Sequence, residues 1–295
     1  MRSRDPKSRR PGWHIEALAP ALVLAVALLT GVCGAPTGAA AQDMIQFLDL
    51  KSDEFTKSEM TREEVAALIA ARKPGEPIDL SARRLNRLDL SELDLSGVNL
   101  QSARINGANF KGSRLDGAVL DQAWALDADF TGASFKAASL FSTQLLGARL
   151  DGADFTEARV AGDFSRASLK GARFDRADLS ADMRNQSMGL MRGVFRSSDL
   201  RDASFRNANL ARVVLEYADL RGADLREANL MGSELGGANL TGAKVADADF
   251  HSADVNSARL LSLEGRNAAR NLESTVNMER AFTDAPRPAP ATAER

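Results

Sequence analysis

Residues 217–240 read YADLRGADLREANLMGSELGGANL, which places Leu220, Leu225, Leu230, Leu235 and Leu240 at every fifth position. An α-helix turns about 100° per residue, so five residues advance about 500° and successive leucines share no face. In a strand, an odd spacing sends alternate leucines to opposite faces. The pattern fits a chain that turns a corner within each unit of five, keeping every leucine on one central axis. Four such units close a square coil of about 20 residues.

The other positions agree with a coil. Two residues before the core position the side chain is small, as at Ala103, Ala118, Ala133, Ala148, Ala218 and Ala238. A narrow interior accepts one large and one small side chain per side. Asp or Asn often precedes the core residue (Asp89, Asn109, Asp129, Asp219, Asn229), and Gly often lies two beyond it (Gly97, Gly112, Gly132, Gly222). These are turn formers, and glycine takes positive φ without cost.

AlaAspLeu at 223–225, AlaAsnLeu at 228–230, AlaAsnPhe at 108–110 and AlaAspPhe at 153–155 carry a resemblance to the pentapeptide-repeat family, over residues 78–262. The resemblance implies an all-β solenoid, a right-handed quadrilateral β-helix. It does not fix a function, because members of the family serve varied ones.

Core positions run on multiples of five from Leu80 to Val160 and shift back by one at Phe164, Leu169, Phe174 and Leu179. They return to multiples of five from Phe195 to Leu260. If the 16 residues 180–195 hold three steps plus one extra residue, the rod has about nine coils and, at ~4.8 Å per strand, a length of about 43 Å. On that register Phe135, Phe155, Phe174 and Phe195 share one side and form an internal ladder of stacked rings. N- and C-terminal α-helical caps are expected, since a solenoid leaves unpaired strand edges at both ends. Thr61 with Glu64 forms a capping box before Val65, Leu68 and Ile69, so a helix is predicted over 61–72, within an N-terminal extension of residues 42–77. Residues 263–283 have left the period of five and read as a C-terminal helical cap. The Pro- and Ala-rich tail, 284–295, is expected to be disordered.

The first 41 residues read as a signal peptide. Arg2, Arg4, Lys7, Arg9 and Arg10 precede an apolar run from Ala17 to Val32, and Ala39 and Ala41 set an A-x-A cleavage site before Gln42. Cleavage after Ala41 makes the protein periplasmic or secreted, with no stable membrane insertion. The alternative is an uncleaved helix anchored in the inner membrane, since the run approaches the ~20 residues that span a bilayer. Cleavage also removes Cys33, the only cysteine, leaving a chain without disulfides.

No catalytic site, cofactor site or metal site is predicted. His251 is the single histidine beyond the leader, it follows the core residue Phe250, and no phosphate-binding glycine loop is present. Three surface features depart from the repeat. Val119, Trp124, Phe141 and Leu146 take outward positions on adjoining sides and would form an apolar patch for a protein partner, unless residues 42–60 fold back over it. Residues 180–194 lack the motif and contain Met183, Met188 and Met191, which reads as a bulge filled by adaptable side chains rather than as a copper site. Arg201 with Arg221, and Arg206 with Arg226, form columns among acidic neighbours, which reads as a surface ion-pair lattice.

The function expected is that of a non-catalytic exported scaffold, a rigid rod that binds an unidentified protein and is free to form a homodimer. The alternative comes from the resemblance: some relatives imitate duplex DNA and bind DNA gyrase. Such mimics are strongly acidic, whereas residues 80–260 hold 24 acidic and 23 basic side chains. That balance also argues against a nucleic-acid partner.

Overall fold

A computed structural model of the chain describes residues 48–73, 75–182 and 191–284. The expected signal peptide (1–41), Met183 and Met188, and the tail beyond Asp284 lie outside the described residues. The described residues all belong to one compact unit.

Parallel bridges between residues about 20 apart run in four columns. The first side carries Asp79, Asn99, Val119 and Ser139; the second Arg84, Arg104, Trp124 and Gln144; the third Asp89, Asn109, Asp129 and Arg149; the fourth Asp94, Arg114, Ser134 and Asp154. Each pairing residue points outward, and its two neighbours point in. Around Asn109, for example, Ala108 and Phe110 are both fully buried, as the period of two in a strand requires. Phe110 N–H donates to the Asp129 carbonyl at 2.7 Å, and Asn109 N–H to the Leu88 carbonyl at 2.9 Å. The backbone of each coil is thereby satisfied by the coils on either side.

The corner follows at once. Ala103 N–H returns to the Leu100 carbonyl at 3.0 Å, closing a β-turn whose third residue, Ser102, takes φ 56°. The same left-handed corner recurs at Glu92, Gln122, Tyr217 and many glycines. The turn therefore tolerates a side chain, at a cost that burial of the adjoining Ala and Leu or Phe outweighs.

A second corner donor, the N–H two residues beyond the pairing position, is taken up by the amide oxygen where that position is Asn, as at Asn99 and Asn109, and by a carboxylate at many Asp and Ser positions, in one of two ways. Where the pairing residue is Asp, it bends back on its own corner: Asp94 Oδ1 accepts from Ser96 N–H at 3.1 Å and Ser96 Oγ at 2.6 Å. Where the pairing residue is Ser, an Asp from the preceding coil substitutes. Asp121 Oδ1 accepts Phe141 N–H at 2.9 Å and Ser139 Oγ at 2.6 Å, and Asp151 does the same for Lys170 and Ser168. Asp or Ser at one position thus dictates where the next carboxylate must stand.

The register breaks twice. Between Arg159 and Asp163 a side has lost one residue. The chain compensates by running close to its neighbour at Gly162, where an added Cβ would lie 2.7 Å from the Thr143 carbonyl oxygen. The second break is an insertion. On the first side Asp178 pairs with Asn209, 31 residues on, so eleven residues exceed the usual twenty. Residues 180–194 therefore make one step, from Leu179 on the first side to Phe195 on the second, rather than three.

This corrects the expected phenylalanine ladder. Phe135, Phe155 and Phe174 stack on the fourth side at 4.6 and 4.7 Å, but the ring that continues the column is Phe205, 5.0 Å from Phe174 and 4° from parallel. Phe195 belongs to the second side, where it stacks on Phe164 at 4.8 Å, and it meets Phe174 only edge-on, at 5.8 Å and 87°. Spacings of 19 and 21 balance numerically, but the excursion at 180–193 moves Phe195 to another side.

At the N-terminal end, the free carbonyls of the first coil are taken up one by one. Glu59 N–H donates to Arg84 O at 2.9 Å, Arg62 donates to Asp89 O and Ser91 O, and Arg72 donates to Ser96 O, each at 2.8 Å. Glu59 belongs to the strand-like stretch before helix α2 (Arg62–Ala71), and Thr61 and Glu64 form its capping box. Helix α2 buries Val65 completely and packs Ile69 against the core.

The C-terminal end corrects the expectation of an α-helical cap over 263–283. The ladder continues instead, with six residues per side: Glu264, Arg270, Val276 and Phe282 extend the fourth, first, second and third columns. Strand β1 (Arg259–Leu260) thereby pairs with β2 (Phe282–Thr283). At each corner a left-handed Gly265, Asn271 or Asn277 starts a short 3₁₀ turn, at Arg266–Ala268, Leu272–Ser274 and Met278–Arg280. The extra residue moves the large side chain one place on, so that Leu272 closes the interior while Ala281 and Thr275 keep the small inward positions. Asn271 and Asn277 bind back to Asp249 and Asp254, both at 2.8 Å.

Candidate functional site

The second side differs from the others. On the first, third and fourth sides most pairing residues are Asp, Asn, Ser, Arg or Lys, and the corners repeat from coil to coil. On the second side the column starts Arg84, Arg104 and ends Glu234, Asp254, Val276 like the others, but its middle runs Trp124, Gln144, Asp163, Val194, Val214. Val214 and Asp163 hold outward positions yet are 2% and 6% exposed, so this side is roofed. Arg192, at the exit of the insertion, forms part of the roof: it donates to the Arg212 carbonyl at 3.0 Å and pairs with Glu234 at 2.9 Å. The stem of the insertion closes where Asp182 N–H meets the Met191 carbonyl at 2.9 Å.

A second elaboration covers the start of this side. Residues 48–60, with helix α1 (Asp53–Thr56), lie along the corner that follows it. Asn86 Nδ2 donates to the carbonyls of Glu54 and Lys57, both at 3.0 Å. Arg104 pairs with Glu54 and stands 5.6 Å from the Phe55 ring centre. Phe55 packs edge-on against Trp124 at 5.4 Å. Behind it, Asn86, Asn106 and Leu126 form a buried chain of amides, with Asn106 Nδ2 on Asn86 Oδ1 and Leu126 N–H on Asn106 Oδ1, each at 3.0 Å.

The apolar patch therefore does not stand open. Val119 and Trp124 lie on the first and second sides, Phe141 and Leu146 on the corners flanking the second, and all four are half-buried. Phe55 covers Trp124, and the Arg159 guanidinium lies 5.8 Å from the centre of the Phe141 ring. The exposed large side chains are others, notably Tyr217, Met231 and Met191. Tyr217 and Met231 flank the second side, and their exposure could not be read from a five-residue rule that treats every corner alike.

A family model described as pentapeptide repeats matches eight copies, over residues 78–112, 127–156, 194–226 and 223–260. The chain belongs to the pentapeptide-repeat family. The gaps between the matched stretches include the 180–193 insertion, where the repeat itself lapses. Members of this family fold as right-handed β-helices.

Among solved structures of the family, the chain is similar to HetL, a protein involved in heterocyst differentiation regulation from the cyanobacterium Nostoc sp. strain PCC 7120. They share 23% identity over 76% of this chain and 95% of that one, with a TM-score of 0.34. It is also similar to full-length QnrB1, a plasmid-mediated fluoroquinolone resistance protein, at 18% identity over 71% and 93% of the two chains and a TM-score of 0.36. A pentapeptide-repeat protein from Nostoc PCC 7120 matches at 30% identity over 34% of this chain and 76% of its own, with a TM-score of 0.29. No curated protein matches the chain.

In this pentapeptide-repeat chain three of the four column arginines are neutralised internally. Arg201, Arg221 and Arg226 each bind both oxygens of the Asp two residues earlier: Arg221 Nε and Nη2 reach Asp219 at 2.8 and 2.6 Å, and Arg201 and Arg226 repeat the geometry on Asp199 and Asp224. The arginine hydrogen bond holds each of these carboxyls below the usual carboxylate range, and the carboxylate raises the pKa of each partner guanidinium. A guanidinium already engaged in a fork has little left for an external anion. His251 is exposed, and its backbone N–H donates to Asp249 at 3.0 Å. Among the described residues, no group of three or more His, Cys, Asp or Glu side chains is gathered to hold a metal ion.

Proposed function

We propose that the protein is an exported, non-catalytic binding scaffold of about nine coils whose second side, with the two segments laid on it, recognises another protein. One observation carries this reading: the departures from the repeat collect on the second side. A lattice that presents the same Asp, Ser and Arg pattern on every coil gives a partner no unique register. A partner that must dock in one place needs a feature that occurs once. Residues 48–60 and the exit of the insertion at Met191 are such features, and the exposed Tyr217 and Met231 border them. The arginine–aspartate forks of the other sides are self-satisfied, which fits a solvated support.

Export is supported by the basic, apolar and small-residue order of residues 1–41. It places the chain in the periplasm or outside the cell after cleavage behind Ala41. The test is fractionation of native cells with mass spectrometry of the N-terminus, followed by crosslinked pull-down. Recovery outside the cytoplasm, beginning at Gln42 and bound to one defined protein, is the expected result. A cytoplasmic chain that retains Met1 would overturn the export reading.

A further inference from the structure

Beneath the N-terminal segment lies a cavity of about 260 Å³ between Leu50 and Phe55 on one wall and Arg87, Gly107, Leu126 and Asp127 on the other. We propose that this cavity binds a free α-amino acid with an apolar side chain, a ligand separate from the protein partner of the scaffold.

Arg87, Gly107 and Asp127 occupy one corner in three successive coils, all with left-handed φ of 61° or less. The backbones of Arg87 and Asp127 are therefore separated by two coil spacings, about 10 Å. Gly107 stands between them with no side chain, and the Arg87 Cγ lies 3.5 Å from the place its Cβ would take. The arginine stem thus runs across the glycine toward the Asp127 coil. The Asp127 carboxylate leans on to the next coil, its Oδ1 2.5 Å from the place a Cβ on Gly147 would take. Neither side chain has a hydrogen bond or ion pair among the described residues, whereas Arg201, Arg221 and Arg226 are all forked onto carboxylates. Two opposite charges that line one cavity without meeting suit a ligand that carries both complementary charges.

The remaining walls define the rest of the ligand. Leu50, Phe55 and Leu126 are apolar, and Leu126 is 8% exposed. The buried Asn106 amide already uses its oxygen on Leu126 N–H and one N–H on Asn86. Its second N–H is available to an acceptor in the cavity. The volume suits a single amino acid rather than a peptide or a cofactor.

The experiment is isothermal titration of the purified protein with L-leucine, L-leucinamide, which lacks the carboxylate, and N-acetyl-L-leucine, which lacks the ammonium. Saturable binding of leucine alone is expected, weakened about tenfold in Arg87→Gln and again in Asp127→Asn, each substitution removing one charge-assisted bond. Both residues are exposed corner residues, so far-UV circular dichroism of the variants should match the parent. No saturable binding of leucine at millimolar concentration, equal binding of leucine and its two blocked forms, or unchanged affinity in the double variant would each overturn the proposal.

Discussion

Phe174 and Phe205 stack at 5.0 Å with their planes 4° apart, although 31 residues of chain separate them. Their contact fixes the coil register across the insertion. Either ring replaced by Ala should cost about 3–5 kcal/mol through the cavity left in a fully packed interior. The double variant should show a coupling of about 1 kcal/mol, the scale of an aromatic pair. Phe174 paired with Phe110, on another side and several coils away, should show none. Chemical denaturation of the four chains of each cycle measures both.

If the insertion is one side lengthened by eleven residues, it is dispensable to the coil. Removing eleven of the residues between Leu179 and Gly193 restores a step of five. The shortened protein should keep its far-UV spectrum and its thermal midpoint within a few degrees. A chain that fails to fold would mean that the excursion is part of the core.

Gly162 is irreplaceable on steric grounds. A methyl group there would lie 2.7 Å from the Thr143 carbonyl oxygen, and Asp163 N–H needs that carbonyl at 2.8 Å. In denaturant titrations Gly162→Ala should destabilise by about 2 kcal/mol. Gly152→Ala at an open corner should cost less, through its positive φ alone.

The arginine forks predict an acid limb. Because the carboxyls of Asp199, Asp219 and Asp224 titrate lower in the folded chain than in the unfolded one, the forks contribute stability above the ordinary carboxylate range, about pH 4. That contribution is lost as pH falls through the depressed values. The thermal midpoint should therefore be level from neutrality to about pH 5 and fall below about pH 4. Arg221→Ala should flatten that fall.

The five-residue rule made most of the fold legible, because it states directly which residues face the axis. Leu80, Phe110, Leu150 and Leu225 are buried as their positions require. The capping box of α2 was equally legible, since Thr61 and Glu64 act locally. What stayed hidden depends on counting across a break or on contacts far apart in sequence. Phe164 and Phe195 look out of step until the insertion is known to add eleven residues to one side. The six-residue sides of the C-terminal coil are visible afterwards in Gly265, Asn271 and Asn277, each starting a turn six residues after the last, but a search at period five passes over them. The cover on Trp124 comes from Phe55, sixty-nine residues away, and no local pattern announces it.

The central claim is that the elaborated second side, not the repeating sides, meets the partner. A photocrosslinking amino acid placed in live cells at Leu48 or Met191, both exposed beside the elaborations, and separately at Arg149 or Asn239 on the third side, tests it directly. One adduct of the same mass is predicted from the first two positions and none from the second two. Adducts from the third side with none from Leu48 and Met191 would contradict it.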